Sequence, residues 1–322
     1  MSSKSHKKVL LMGKSGSGKT SMRAIIFRSQ SAADTRRLGA TVDLENTTFK
    51  LLGGLRLDLW DCGGQDAFMN SHLTSQASHV FRSVHTLIYI FDAESPDLYT
   101  SDMHYFLNCL GALIDHNPIA GDSGPTLFVL LHKMDLVPPQ HQETKLRDFS
   151  TELQKKIDQK GWKGQAQFYG TSIWNESLYK AWSLVIANLM PSLSSVKSQL
   201  SSFRKLIGAR EIVLFEKTTF LVIATDTETT NTEDVEKRWV KDRFERISNI
   251  VKSFKLGCSK IRAPFVSFAT TTPSFTAVLD ILTPDTYVLV VADSSMEPAA
   301  IELNIKYARP HFEQLDSMRL SR

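Results

Sequence analysis

The run Gly13-Lys14-Ser15-Gly16-Ser17-Gly18-Lys19-Thr20 fits GxxxxGK[ST] at every fixed position, and it constrains the fold more than any other feature. Such a loop works where a buried strand ends and a helix begins. Backbone amides must turn inward around phosphate while the helix N-terminus points its positive dipole end at the same place. The flanks satisfy this, since residues 9–12 are an apolar strand-length run and residues 20–29 read as a helix. Gly13, Gly16 and Gly18 supply the backbone freedom, Ser15 and Ser17 further loop amides, and Lys19 a point charge toward β- and γ-phosphates. Thr20 would ligate Mg²⁺ through its hydroxyl.

The rest of the first part agrees with a strand-loop-helix start. Short apolar runs alternate with longer amphipathic stretches, the pattern of a parallel sheet with crossover helices. Leu55, Leu57 and Leu59 alternate up to Asp61, and residues 86–91 and 126–131 are continuous apolar runs after an initial threonine, as buried central strands are. Helices are expected at 97–115, 143–160 and 176–189, with a last strand near Phe168. Pro191 and the serines after it break the rhythm, so the expected domains are 1–191 and 192–322. A chain of 322 residues has room for two such domains. The second reads as α+β: helices at 196–207, 235–254 and 299–315, and strands at 212–215, at 219–224 and near Phe265, Ala277 and Val288. It shows no catalytic constellation, and its polar stretch 225–231 reads as a solvated loop.

Composition removes several classes. At 42% hydrophobic and 22% charged residues the chain is too apolar to be mainly disordered. The net charge of +4 is divided evenly between the two parts, without the basic excess of a nucleic-acid binder. Three scattered cysteines, Cys62, Cys109 and Cys258, make neither a CxxC site nor a disulfide framework. No apolar run reaches membrane-spanning length. Ser2 stands where myristoylation needs glycine, and the last residues carry no prenylatable cysteine. Membrane residence is therefore expected to be borrowed from a partner, and the basic stretch Lys4, His6, Lys7, Lys8 reads as a solvated tail.

Two strand ends separate GTP from ATP. Asp61-Cys62-Gly63-Gly64-Gln65 puts Asp61 where a carboxylate holds the magnesium shell, Gly64 where an amide meets the γ-phosphate, and Gln65 where an amide side chain orients attacking water. His132-Lys133-Met134-Asp135 is close to [NT]KxD, and Asp135 can accept from the guanine N1–H and exocyclic amine, a pairing adenine cannot offer. After the next strand, an amide of Ser172 or Ile173 could meet the guanine O6. Thr41 lies where a switch threonine closes on Mg²⁺ and the γ-phosphate. Arg36 and Arg37, just before it, read as solvated in preference to an arginine finger in cis.

Together KKVLLMGKSGSGKTSMR, TRRLGAT, LWDCGGQDAF, LLHKMDL, TSIWNESLYKAW and ERISNIVKSFKLGCSK resemble the Rag GTPase family, most closely the A/B-type branch that includes the fungal Gtr proteins. The resemblance covers almost the whole chain. It implies an α/β fold in which a P-loop, Ras-like GTPase domain is followed by an α+β roadblock-type domain. It also implies pairing with a C/D-type Rag partner, tethering to the vacuolar or lysosomal surface by a lipidated membrane scaffold complex, and recruitment of TOR complex. Carried onto this sequence, the phosphate loop is Gly16, Gly18, Lys19 and Thr20, the switch residues are Thr41, Gly64 and Gln65, and the base readers are His132, Lys133 and Asp135. His132 replaces the asparagine of the Ras pattern, and either takes over part of its buttressing or merely packs.

The expected activity is a slow GTP hydrolysis completed by a GTPase-activating protein. A nucleotide-stabilised scaffold with negligible hydrolysis is the alternative, disfavoured by the intact Thr41 and Gln65. An ATP-dependent kinase is opposed by Asp135.

Overall fold

The computed structural model describes residues 6–39, 44–50, 56–63, 74–117, 124–164, 166–190, 193–228 and 243–319. These group into two compact units, one of His6–Phe49 and Arg56–Ala181, the other built from Trp182–Arg322.

The first unit is a six-stranded sheet with flanking helices. Its elements in chain order are β1 (His6–Met12), α1 (Lys19–Arg28), β2 (Glu45–Lys50), β3 (Arg56–Asp61), α2 (Ala77–Phe81), β4 (Val84–Asp92), α3 (Met103–His116), β5 (Thr126–His132), α4 (Pro139–Gln159), β6 (Ala166–Thr171) and the start of α5 (Ser177–Leu189). The strand order is β2-β3-β1-β4-β5-β6, with β3, β1, β4, β5 and β6 all parallel. Central residues of both parities are buried: Leu10, Met12, Leu87, Tyr89, Leu127 and Val129 pack with Phe106 and Phe149 of the helices, while Val9, Leu11, Ile88 and Phe128 are equally inaccessible. Each such side chain contributes about 1.5–3 kcal/mol on burial, so the middle of the sheet is the least deformable part of the unit. Strand ends on one edge then carry the site.

Several elements depart from the sequence expectation. β1 begins at His6, so His6, Lys7 and Lys8 are strand residues and not a solvated tail. His6 Nδ1 lies 3.1 Å from Asp58 Oδ2, and Lys8 Nζ donates to His79 O at 2.7 Å while standing 3.7 Å from the Trp60 ring centroid. The reason is pairing: the parallel register His6↔Arg56 extends the ladder past its apolar part. β2 and α2 have little apolar periodicity and were not expected. The helix expected at 97–115 opens as a π-turn, Leu98–Asp102, before α3 begins. There the Asp102 carboxylate is buried and accepts from Tyr89 OH at 2.6 Å, and burial raises it to about 6.

The second unit contains α6 (Leu193–Ile207), β7 (Glu211–Glu216), β8 (Val222–Thr227), α7 (Arg243–Lys260), β9 (Phe268–Thr271), β10 (Thr276–Thr283), β11 (Thr286–Ala292) and α8 (Pro298–Arg319). Its strands pair antiparallel in the order β8-β7-β11-β10-β9. Val213, Phe215, Ala277, Leu279, Tyr287 and Leu289 form one apolar face with Phe220, between β7 and β8, and Val251 of α7. α6 and α8 pack on β8 and β10. Val196, Leu200, Phe203 and Ile207 recur at helical spacing and are the buried stripe of α6. The result is the α+β architecture expected, and it is consistent with a roadblock-type domain. Residues 225–227, expected as loop, are the end of β8: Asp226 pairs with Arg204, and threonine suits the pleated surface. The strand expected at 219–224 starts at Val222, because Thr218 and Thr219 form a turn capped by Glu216 Oε2. Phe265 precedes β9. Residues 229–231 and the first residues of the helix expected at 235–254 lie outside the described set.

Candidate functional site

The phosphate loop is shaped by backbone conformation. Gly13, Gly16 and Gly18 have φ of 143°, 80° and 101°, a region that side chains with a Cβ rarely enter. At Gly13 a Cβ would stand 2.3 Å from Ile90 O, so the loop is held against β4 by an approach only glycine permits. Gly18 caps α1 without a side-chain bond, leaving the first-turn amides of the helix for a ligand. Ser15 and Gly16 are exposed and Ser17 is buried, its Oγ without a protein partner. Lys14 Nζ reaches away to Ser101 Oγ at 2.6 Å.

Lys19 is 5% exposed, and its ammonium donates to Gly13 O at 2.7 Å and Lys14 O at 2.8 Å. Burial lowers it to about 8, with Asp61 opposing. Asp61, at the end of β3, is fully buried. Its Oδ2 accepts from Thr20 Oγ1 at 3.4 Å and lies 3.5 Å from Arg23 Nε, while Oδ1 has no protein partner. Burial raises Asp61 above the usual carboxylate range, with Arg23 and Lys19 pulling the other way. Arg23 is the residue the sequence reading missed here. One turn after Thr20, buried, it also pairs with Glu45 at the head of β2. The only sequence signal was an arginine on the side of α1 that otherwise buries Met22, Ile25 and Ile26.

The base side is shaped by side chains. His132 is 2% exposed, and its Nδ1 lies 3.0 Å from Thr171 Oγ1. A Cβ on Gly18 would fall 2.6 Å from its Cδ2, so the imidazole packs directly on the phosphate loop. Of the two roles left open by the sequence, buttressing is the one this geometry provides. Burial brings His132 down to about 4, helped by Lys133, so it is neutral at ordinary pH. Lys133 has the left-handed φ of 63°, and its ammonium meets Asp92 Oδ2 at 2.5 Å, which leaves its apolar stem to a base. Asp92, His132 and Thr171 are register partners across β4, β5 and β6, one rung of the sheet.

Asp135 Oδ1 accepts from Ser172 Oγ at 2.5 Å, and Ser172 Oγ accepts from the Trp174 amide at 3.0 Å. The Ser172 amide already donates to Ser177 Oγ at 2.9 Å, so of the two amides considered for guanine O6, Ile173 is the better placed. Asp92, Thr171, Trp174 and Ser177 were not picked out from sequence as site residues. Arg36, read there as solvated, lies over the Trp174 ring, 5.1 Å from its centroid. Thr41, Gly64 and Gln65 lie outside the described residues. Among the described residues no group of three or more His, Cys, Asp or Glu could hold a metal. The oxygen pair of Thr20 and Asp61, with a buried unpartnered Oδ1, nonetheless suits a hard cation that takes most of its ligands from phosphate and water.

A model of the "Gtr1/RagA G protein conserved region" matches residues 8–251. "GTP-binding protein gtr1" of Schizosaccharomyces pombe is 46% identical over 310 residues, covering 95% of each chain. "Ras-related GTP-binding protein B" of Rattus norvegicus is 42% identical over 339 residues, covering 96% of this chain and 86% of the relative. "Ras-related GTP-binding protein C" of Homo sapiens is 28% identical over 225 residues, covering 68% of this chain and 53% of the relative.

Proposed function

The chain belongs to the Gtr1/RagA family of guanine-nucleotide-binding GTPases, and on that premise we propose that it is the A/B-type half of a Rag heterodimer, a slow GTP switch in amino-acid signalling to TOR complex. The observation that carries the nucleotide half of this reading is His132. It packs on Gly18 and stands three residues before Asp135, so the phosphate and base ends are held as one frame.

In the proposed reaction the amides of Gly13 to Lys19 receive the phosphates, and Lys19 exchanges two carbonyl acceptors for phosphate oxygens, a stronger charge-assisted pairing. Asp135, held by Ser172, takes the guanine N1–H and amine, and the Ile173 amide takes O6. Gln65 orients the attacking water, and Gly64 gives an amide to the γ-phosphate. Thr20, Thr41 and Asp61 would hold Mg²⁺, which when bound supplies positive charge beside the phosphates. Turnover is expected to be slow because the chain's own residues leave part of the charge stabilisation in the transition state to another protein. A GTPase-activating protein completes the site.

The heterodimer partner in this proposal is a C/D-type Rag protein, and the detectable similarity to a C-type relative supports a shared architecture for the two halves. A lipidated membrane scaffold complex would hold the pair at the cytoplasmic face of the vacuole or lysosome. The test is to recover the chain from its own cells and identify its bound nucleotide and its stoichiometric partner. Guanine nucleotide and a C/D-type partner are expected, and a lone monomer would contradict the reading. In single-turnover hydrolysis with the activating protein, Gln65→Leu should be slower than the parent by on the order of a hundredfold. Equal rates would remove Gln65 from the mechanism and favour a scaffold.

A further inference from the structure

Arg36 and Trp174 belong to segments with opposite tasks. Arg36 sits in the 3₁₀ turn Asp34–Arg37, shortly before Thr41, and Trp174 follows Ile173 in the loop that holds Asp135. The turn is a fixed platform. Thr35 is buried and its Oγ1 donates to Ala32 O at 2.7 Å, while Ser31 Oγ donates to Asp34 Oδ2 at 2.6 Å. The guanidinium carbon stands 5.1 Å from the Trp174 ring centroid, within the range in which a cation is drawn to an aromatic face. Trp174 is 49% exposed and Arg36 is exposed, so packing of the core does not require the contact.

The other side of Trp174 leads inward. Its amide donates to Ser172 Oγ, which donates to Asp135 Oδ1. Three successive contacts therefore join the turn before Thr41 to the base-reading carboxylate. The geometry points to an Arg36–Trp174 clasp, a positioning pair that closes this turn onto the base-side loop and slows the escape of bound guanine nucleotide. The inference rests on the proposed placement of the base at Asp135. A ligand with its base at Asp135 sits against the loop that Trp174 helps to hold, and it leaves faster when the clasp no longer steadies that loop. The pair adds nothing to recognition of the base edge, so it acts on release more than on choice of nucleotide.

The test is dissociation of a fluorescent GDP analogue from the full chain with its partner. Arg36→Ala and Trp174→Ala should each release it roughly fivefold faster, with little change in association. The double variant should release it no faster than either single one, because all three lose the same contact. Arg36→Lys and Trp174→Phe should fall between parent and alanine variants. Rates equal to the parent's, or a double variant whose effect is the product of the singles, would overturn the clasp. Asp135→Asn in the same assay tests the reading beneath. If it loses GDP while the clasp variants match the parent, the clasp alone falls. If it keeps GDP as the parent does, the base placement falls and the clasp with it.

Discussion

In the proposed nucleotide site the two ends are made in different ways. At the phosphate end the proposed receptor is the chain's own backbone: three glycines at positive φ, one pressed against Ile90 O, shape the loop. At the base end the receptor is a set of side chains, each held by another: Asp135 by Ser172, His132 by Thr171 and Lys133 by Asp92. A backbone receptor fails by steric exclusion, all at once. A side-chain receptor fails by steps, as buried partners lose their bonds. The difference predicts a graded series of effects.

The largest effect is expected from Gly13→Ala. Its Cβ would meet the Ile90 carbonyl, which cannot move without disturbing β4, so the loop must shift. Chemical denaturation should show a loss of about 3 kcal/mol, accompanied by loss of nucleotide binding. A variant as stable as the parent would mean that the phosphate loop yields as easily as the base side.

His132 tests where the two ends meet. The unfolded chain takes up a proton near the ordinary value of 6.5, whereas the folded chain resists until about 4. The stability contributed by keeping His132 neutral is therefore complete above 6.5 and is lost as pH falls toward 4. The loss amounts to about 3 kcal/mol by linkage. Denaturation midpoints of the parent should drop across that window, and those of His132→Asn should drop less. Identical pH profiles would detach His132 from the frame.

Ser172→Ala should be the mildest. It removes the hydroxyl that holds Asp135 and receives the Trp174 amide, at a cost of about 1–2 kcal/mol. Competition between GTP and ATP should show guanine preference weakened by roughly tenfold. Unchanged preference would mean that Asp135 orients itself, and that the base end is simpler than its hydrogen bonds suggest.

The same contrast explains what could be read before the structure. Backbone-made features leave compositional marks, because only glycine satisfies them, so Gly13, Gly16 and Gly18 with Lys19 and Thr20 stand out in sequence. The apolar strands stand out for a similar reason, since both of their faces are buried. Supporting residues leave no such mark. Asp92 and Thr171 are unremarkable strand-end residues until parallel pairing places them beside His132. Arg23 looks like any helical arginine until β3 and β2 bring Asp61 and Glu45 to it. The tail misreading at His6 to Lys8 has the same origin. Charged residues next to an apolar strand look solvated until Asp58 and Trp60 are known to lie alongside.

The rung Asp92, His132, Thr171 also sets how the protein tolerates change in chain length. Side chains on a strand alternate faces, so deleting or inserting one residue within β4, β5 or β6 would send that strand's rung member to the opposite side of the sheet. A substitution along these strands leaves the rung in register, whereas a length change does not. Insertions and deletions are compatible with function only in the connections between the strands, while the spacing from the middle of each strand to its rung residue stays fixed.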